Sequence, residues 1–275
     1  MDEPDGFSFG RNWQKFLDDM PAGAGRAMAA YVRDWLGDDL TGKRVVDIGS
    51  GQGLTSLTAS QLGAEVLSFD LDPHSVEATR RLWDSAGRPT SWRVEQGSIL
   101  DASFVRGLGA FDLVISWGVL HHTGSLWRAV DAAAGLVTPG GRLWIALYHR
   151  TPQSGLSLRI KRLYAALPGP GKRILLGSYA LAKIGKSLVL KRRLPALRGA
   201  YDDRGMNWWR DTEDWLGGLP YEVAAPGEVL DRVRPKGFEL VRLVDAISEG
   251  RNDVYLFRSV SGRDVDQQVV ASGPS

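Results

Sequence analysis

The 275-residue sequence predicts an α/β protein: an open, mostly parallel sheet with helices on both faces. Three observations lead there. From Thr41 to Tyr148, short apolar runs of strand length alternate with amphipathic stretches of helix length. The first run passes straight into a glycine-rich turn that opens a helix, VVDIGSGQGLTSL (45–57). After residue 225 the alternation resumes and ends in two strand-like runs with a short connection, as an antiparallel hairpin closing the sheet would have.

Each element has its own signal. Residues 7–36 read as helical because Phe9, Trp13, Phe16 and Leu17, then Met28, Tyr31, Val32 and Trp35, recur at helical spacing. KRVVDI (43–48), EVLSFD (65–70), SWRVEQ (91–96), FDLVIS (111–116) and RLWIALY (142–148) read as strands. Helices are expected between them at 52–62, 73–86, 99–108 and 125–136, with a turn, TPGGR, at 138–142. Residues 227–235 read as a helix, FELVRLV (238–244) and DVYLFRSV (253–260) as the last strands. The expected organisation is an N-terminal helical cap (1–40), a sheet domain (41–150 and 226–260), a helical insert (151–225) and a disordered tail (261–275).

The absence of cysteine excludes disulfides and thiolate metal sites. The start, MDEPDGFSFG, is acidic and has no apolar run, so a secretory signal is not expected and the cytoplasm is the expected address. The net charge of +2 hides an asymmetry: no acidic residue lies between Asp131 and Asp202, while Arg159, Lys161, Arg162, Lys172, Arg173, Lys183 and Lys186 accumulate there. Such a stretch is either a solvated helical face or a surface for an anionic substrate, an acidic partner or membrane headgroups. The run at 173–190 is broken by Lys183 and Lys186 and falls short of the roughly 20 apolar residues a bilayer requires, so an amphipathic helix covering the site is expected.

The turn after the first strand carries the chemistry. Its glycines, Gly49, Gly51 and Gly53, let a ligand approach the backbone and a helix N-terminus. A dinucleotide fingerprint would have a third glycine where Leu54 stands, and Asp47 would repel a pyrophosphate. Beside an ammonium or sulfonium the same carboxylate attracts. The turn therefore suits a cationic nucleoside, and S-adenosyl-L-methionine (SAM) is that ligand. Ser50 belongs to the turn, Asp70 closes the second strand where a carboxylate holds ribose hydroxyls, and Leu71 can pack on adenine. Gly97, Ser98 and Ile99 stand where the edge of adenine is met, and Ser116 and Trp117 end the fourth strand at the same edge.

With these motifs in hand, the chain resembles a class I SAM-dependent methyltransferase, and within that class the bacterial ubiquinone-biosynthesis-methylase-like proteins. FSFGRNWQKFL, LSFDLDPHSVEAT, ISWGVLHHTGSLWRA and RGMNWWRDTEDWLGGLPYEVA carry the resemblance beyond the cofactor half. The resemblance implies a Rossmann-like sheet of seven strands. It also implies that Arg204, Asp211, Asp214 and Glu222 are positions of interest, without a role for any. In the quinone O-methylases of this group, carboxylates beside a histidine hold a divalent metal; here Gly118 and His121 occupy those positions, so no metal is expected.

His121 and His122 follow the fourth strand, beside the expected methyl group, and either suits the removal of a proton from an acceptor. No NPPY-like or DPPY-like sequence follows that strand, and the basic run lacks interleaved aromatics, which makes a nucleic-acid substrate an unfavoured reading. The insert leaves the sheet at the cofactor edge, so its return, RGMNWWRDTEDWLGG, is expected over an acceptor pocket. Trp208, Trp209 and Trp215 would wall it, while Arg204, Asn207, Asp211 and Asp214 bind polar groups or lock the cover. Phe9, Asn12 and Trp13 would close it from the N-terminal side, and Tyr148 from the fifth strand. The expected activity is methyl transfer to an oxygen or nitrogen of a small or medium-sized acceptor, quinol-like or a natural-product intermediate. A peptide or RNA docked on the basic insert is the alternative acceptor, and a catalytically silent SAM-binding scaffold the third reading.

Overall fold

A computed structural model describes residues 9–18, 23–191, 208–245 and 252–260, with the backbone alone for Phe16, 186–191 and 208–211. The expected seven-stranded sheet is present. Its strands are β1 (Arg44–Ile48), β2 (Glu65–Asp70), β3 (Trp92–Gln96), β4 (Phe111–Trp117), β5 (Val137–Leu147), β6 (Phe238–Val244) and β7 (Asp253–Ser259), in the order β3-β2-β1-β4-β5-β7-β6. β1 to β5 are parallel. β7 runs antiparallel to both neighbours, inserted between β5 and β6, so the expected hairpin does close the sheet.

The helices are α1 (Phe9–Asp18), α2 (Ala24–Leu36), α3 (Leu54–Gln61), α4 (Pro73–Ser85), α5 (Ala102–Leu108), α6 (Leu126–Gly135), α7 (Ser154–Ala166), α8 (Gly169–Lys191), α9 (Trp208–Gly217) and α10 (Pro226–Val233). A short 3-10 turn, Leu120–His122, follows β4. Two cores lie on opposite faces of the sheet. Val46, Ile48, Val114, Leu143 and Ile145 meet α6 and α10 on one. Val45, Leu113, Ile115, Trp144 and Ala146 meet α2 and α3 on the other. β1 is buried on both faces from Val45 to Ile48, as a central parallel strand must be. Each such Val or Ile contributes about 1.5–3 kcal/mol by leaving water.

Four boundaries differ from the sequence reading. The helical stretch 7–36 is two helices, α1 and α2. TPGGR turns as expected but inside β5 rather than before it: Val137 pairs with Phe111 and Arg142 with Leu113, and the residues between loop out through Gly140, whose φ is +78°. α5 starts at Ala102 rather than 99, because Asp101 Oδ1 accepts the N–H groups of Ser103 (2.8 Å) and Phe104 (3.2 Å) and caps it. α8 starts inside PGPGK, since proline is tolerated in a first helical turn, where its missing N–H would have no partner. Among the described residues no helix is long and apolar enough to cross a membrane. The tail 261–275 lies outside the described residues.

α7, α8 and α9 form a satellite core around Tyr164, Leu176 and Leu216. α1 packs on α4 and reaches α9, which ties the first helix to the insert. Gly10 makes the first of these approaches possible: its N–H donates to Asp72 Oδ2 at 2.9 Å, and a Cβ there would lie 2.5 Å from Ser75 N.

Candidate active site

β1 ends in the middle of the sheet, between β2 and β4, where chain order runs outward in both directions and ligands of open α/β sheets bind. Gly49, Gly51 and Gly53 all have left-handed φ (+73°, +56° and +83°), so the turn requires glycine. Gly49 and Ser50 donate their N–H groups to Phe69 O at 2.8 and 3.2 Å, hanging the turn on β2. Thr79 Oγ1 holds it from α4, 3.0 Å from Gly51 O and 3.0 Å from Ser50 Oγ. Gly49 lies against Val119, so the turn bearing the two histidines rests on the glycine loop.

Asp70 Oδ2 accepts the Gly51 N–H at 3.0 Å and Oδ1 accepts the Asp72 N–H at 3.0 Å. Asp47 is buried, and Ser56 Oγ donates to its Oδ2 at 2.5 Å. Ser68 Oγ donates to Ser56 (2.6 Å) and Trp92 Nε1 to Ser68 (2.7 Å), a relay running from the sheet's outer strands to the carboxylate. Burial pushes both aspartates up to about 6, and for Asp47 the nearby Asp70 adds to the rise. Among the described residues neither pairs with a cationic side chain. A buried and a half-buried carboxylate beside a backbone cradle, neither neutralised among the described residues, are complementary to a cationic ligand.

The other residues of the cleft divide by exposure. Leu71, beyond the end of β2, is 65% exposed and offers an apolar surface. Ser98 is half-buried and its Oγ accepts the Leu100 N–H at 3.2 Å. Gly97 leaves room for the Phe104 ring, which a Cβ would enter. Two expected cleft residues turn inward instead. Ile99 packs in the α6 core, and Ser116 is fully buried with its Oγ bonded to Ile48 O (3.1 Å), stapling β4 to β1. Trp117 meets Tyr31 edge-on with ring centroids 5.9 Å apart.

His121 and His122 adopt opposite tautomers. The Tyr148 N–H donates to His121 Nδ1 at 3.3 Å, which leaves the His121 proton on Nε2. That Nε2 is buried and has no hydrogen-bond partner among the described residues. His122 Nδ1 lies 2.7 Å from Pro220 O; a carbonyl only accepts, so Nδ1 carries the proton and Nε2 keeps a lone pair. Burial holds both imidazoles neutral, His121 well below the usual range and His122 at about 4, and Lys161 adds to both effects. The strap after α9 secures this turn: the Glu222 N–H donates to His121 O (3.0 Å), and the Glu222 carboxylate accepts the Leu126 N–H, capping α6.

α1 brings its three candidate residues to the site together. Phe9 packs on His122 (centroids 5.1 Å apart). Trp13 lies over the glycine turn, its Nε1 3.1 Å from where a Gly51 Cβ would sit. Asn12 Nδ2 donates to Asp214 Oδ1 of α9 at 2.6 Å. Tyr148 stacks on His121 at 3.9 Å. Trp215 stacks on Tyr179 of α8 at 4.8 Å, so it binds the insert's helices together rather than standing open as a wall. Arg204 and Asn207 lie outside the described residues, as do the side chains of Trp208, Trp209 and Asp211.

Two features were missed. Lys161 of α7 is fully buried, its ammonium between the rings of Trp215, Tyr221 and Tyr148. Its signal was its place on the 157–161–164 stripe, obscured because Leu156 and Leu163 face outward. His149 Nδ1 bonds Asp253 Oδ2 at 2.8 Å, and the Tyr255 hydroxyl donates to the same oxygen at 3.1 Å. No spacing announces that pair, which β5–β7 pairing creates.

Residues 46–143 match the family model described as a methyltransferase domain. A ubiquinone biosynthesis O-methyltransferase of Xanthomonas euvesicatoria pv. vesicatoria is 35% identical over 114 residues, 42% of this chain and 46% of that protein. The matched stretch thus spans less than half the length of this relative. Among solved structures, an O-methyltransferase family protein from Burkholderia thailandensis aligns with a TM-score of 0.56 at 18% identity, covering 90% of this chain and 60% of that one. The magnesium protoporphyrin IX methyltransferase of Synechocystis PCC 6803, solved with bound SAH, aligns at 0.53 and 17% identity over 89% and 86%. Residues 46–143 of this chain are a methyltransferase domain, set in the Rossmann-like fold of class I methyltransferases.

Proposed function

We propose that this protein is a SAM-dependent O-methyltransferase acting on a small or medium-sized acceptor with an ionisable hydroxyl. The observation that carries this reading is the pair of aspartates, Asp47 buried and Asp70 half-buried, flanking a glycine turn with no cationic side chain among the described residues to neutralise them. When bound, SAM supplies an electrophilic methyl carbon on a cationic sulfur. Asp47 and Asp70 hold the countercharge, the glycine turn admits the backbone approach, and Leu71 offers an apolar shelf for the purine.

His122 is the general base in this reading: its Nε2 lone pair is available, and burial keeps it neutral at physiological pH. His121, with its proton on Nε2, serves as a donor beside it. α1 and the insert form the cover, with Phe9 against the base, Trp13 over the loop and Asn12 joined to Asp214, so that water is excluded from the acceptor side. The ubiquinone-pathway names of relatives favour a quinol-like phenol, and a phenolic proton is one that a neutral imidazole can take.

The test is an acceptor screen with methyl-labelled SAM, followed by His122→Asn and His121→Asn. We expect His122→Asn to lower kcat by about 10²–10⁴-fold with SAM affinity unchanged. Full activity in that variant removes His122 as the base; SAM affinity unaltered in both Asp47→Ala and Asp70→Ala removes the cofactor assignment.

A further inference from the structure

Lys161 does not earn its place by stability. An ammonium taken out of water is costly, and a methionine or leucine would fill the same box without that cost. Its partners are few: Nζ donates to Trp215 O in the last turn of α9, and the rest of the ammonium faces rings, 4.5 Å from the Trp215 centroid, 4.9 Å from Tyr221 and 5.7 Å from Tyr148. Tyr148 is the partition between this charge and the site, since its other neighbours are His121 at 3.9 Å and His122 at 5.2 Å.

We propose that Lys161 is a positioning residue for methyl transfer: its buried ammonium sits behind Tyr148 and adds to burial in holding His122 in the neutral form that accepts a proton. The proposal rests on the reading of His122 as the base. α7 delivers the charge to Tyr148, on whose ring both His121 and His122 pack.

The groups around this pair do not all act in one direction: the Pro220 carbonyl, which accepts from His122 Nδ1 at 2.7 Å, favours the charged imidazole, and burial and Lys161 oppose it. His121 lies beside His122 on the same turn and is itself neutral. Asp214 of α9 favours the charged form of Lys161 but is shared with Asn12. Glu213 and Asp214 also face Tyr164 of α7, and Lys183 of α8 donates to Thr212 Oγ1 at 3.1 Å. Glu222 is spent on the α6 N-terminus, and Tyr221 contributes its ring face. Burial lowers Lys161 itself to about 7, and so it is charged throughout the acidic range in which His122 titrates.

The test is NMR titration of full-length protein labelled at histidine and lysine, with His122→Asn and Lys161→Arg to assign the two signals, beside pH profiles of kcat/KM. Lys161→Met keeps the stem and removes the charge; Lys161→Arg keeps the charge. In Lys161→Met the His122 midpoint should rise by roughly half a pH unit or more, and the acidic limb of kcat/KM should move up with it. Lys161→Arg should leave both in place. Equal loss of activity in the two variants with an unmoved His122 midpoint would mean a purely structural lysine and would overturn the proposal. Should Lys161→Met fail to fold, the unaltered protein still decides: the Lys161 signal should titrate near pH 7 with a matching small step in His122, and absence of that step refutes the coupling. None of the titrations needs turnover, so a failed coupling is distinguishable from a wrong assignment of the base.

Discussion

On the proposed reading, the two carboxylates of the cleft should make SAM binding a proton-releasing event. Asp47 and Asp70 both rise from 3.8 to about 6 because burial disfavours the charged form. A shift of roughly two units is worth about 3 kcal/mol for each, all of it a penalty on the ionised protein. Since the folded values exceed the unfolded ones, that penalty is absent below about 4, grows between about 4 and 6, and is complete above 6. The ligand-free protein should therefore gain stability from this pair as pH falls from 7 to 5. A bound sulfonium and ammonium reverse the effect by favouring the ionised forms. At pH 6 each aspartate is about half protonated when free, so SAM should displace roughly one proton in total, and close to none at pH 8. Affinity should fall on acidification to pH 5 by about tenfold for each carboxylate that must ionise. Isothermal titration in buffers of differing ionisation enthalpy counts the protons directly, and Asp47→Asn should roughly halve the count at pH 6. Binding at pH 6 with no proton exchange, or an affinity flat from pH 5 to 8, would refute the electrostatic argument for this cleft.

Two substitutions probe the supports of the site. Ser56→Ala removes the 2.5 Å bond to Asp47 and strands Ser68 Oγ, so it should cost about 1–3 kcal/mol in denaturant unfolding and weaken SAM binding alongside. Gly218→Ala places a Cβ 2.8 Å from His122 Cε1, 3.1 Å from Asp214 O and 3.1 Å from Phe9 Cζ, so the imidazole must shift. We expect kcat to drop by about tenfold or more with SAM affinity intact, and a normal kcat would show that the ring's position is not critical.

How far the site was legible follows from how far apart its residues are. The glycine turn and Asp47 are neighbours in sequence, and Asp70 ends the next strand, so strand–turn–helix patterning places all of them at one edge. The directions of the Ser116 and Ile99 side chains were not legible, because these residues sit at strand and turn ends, where alternation stops predicting direction; one turns in to bond Ile48 O, the other packs into the core. The roles of the two histidines could not be separated in sequence at all. Their tautomers depend on Tyr148 N and Pro220 O, 27 and 98 residues away.

What the amino-acid order settles alone is local: the alternation that makes a parallel sheet, the glycines that only a left-handed turn requires, and the sign of the charge placed beside it. The tertiary structure decides what is long-range. It turns a basic, surface-looking stretch into a helix whose lysine is buried in an aromatic box, and joins His149 to Asp253 across two strands. The physical reason is that burial, not residue type, decides whether an ionisable group is a solvated charge or a tuned one, and burial of these groups depends on contacts between segments far apart in the chain.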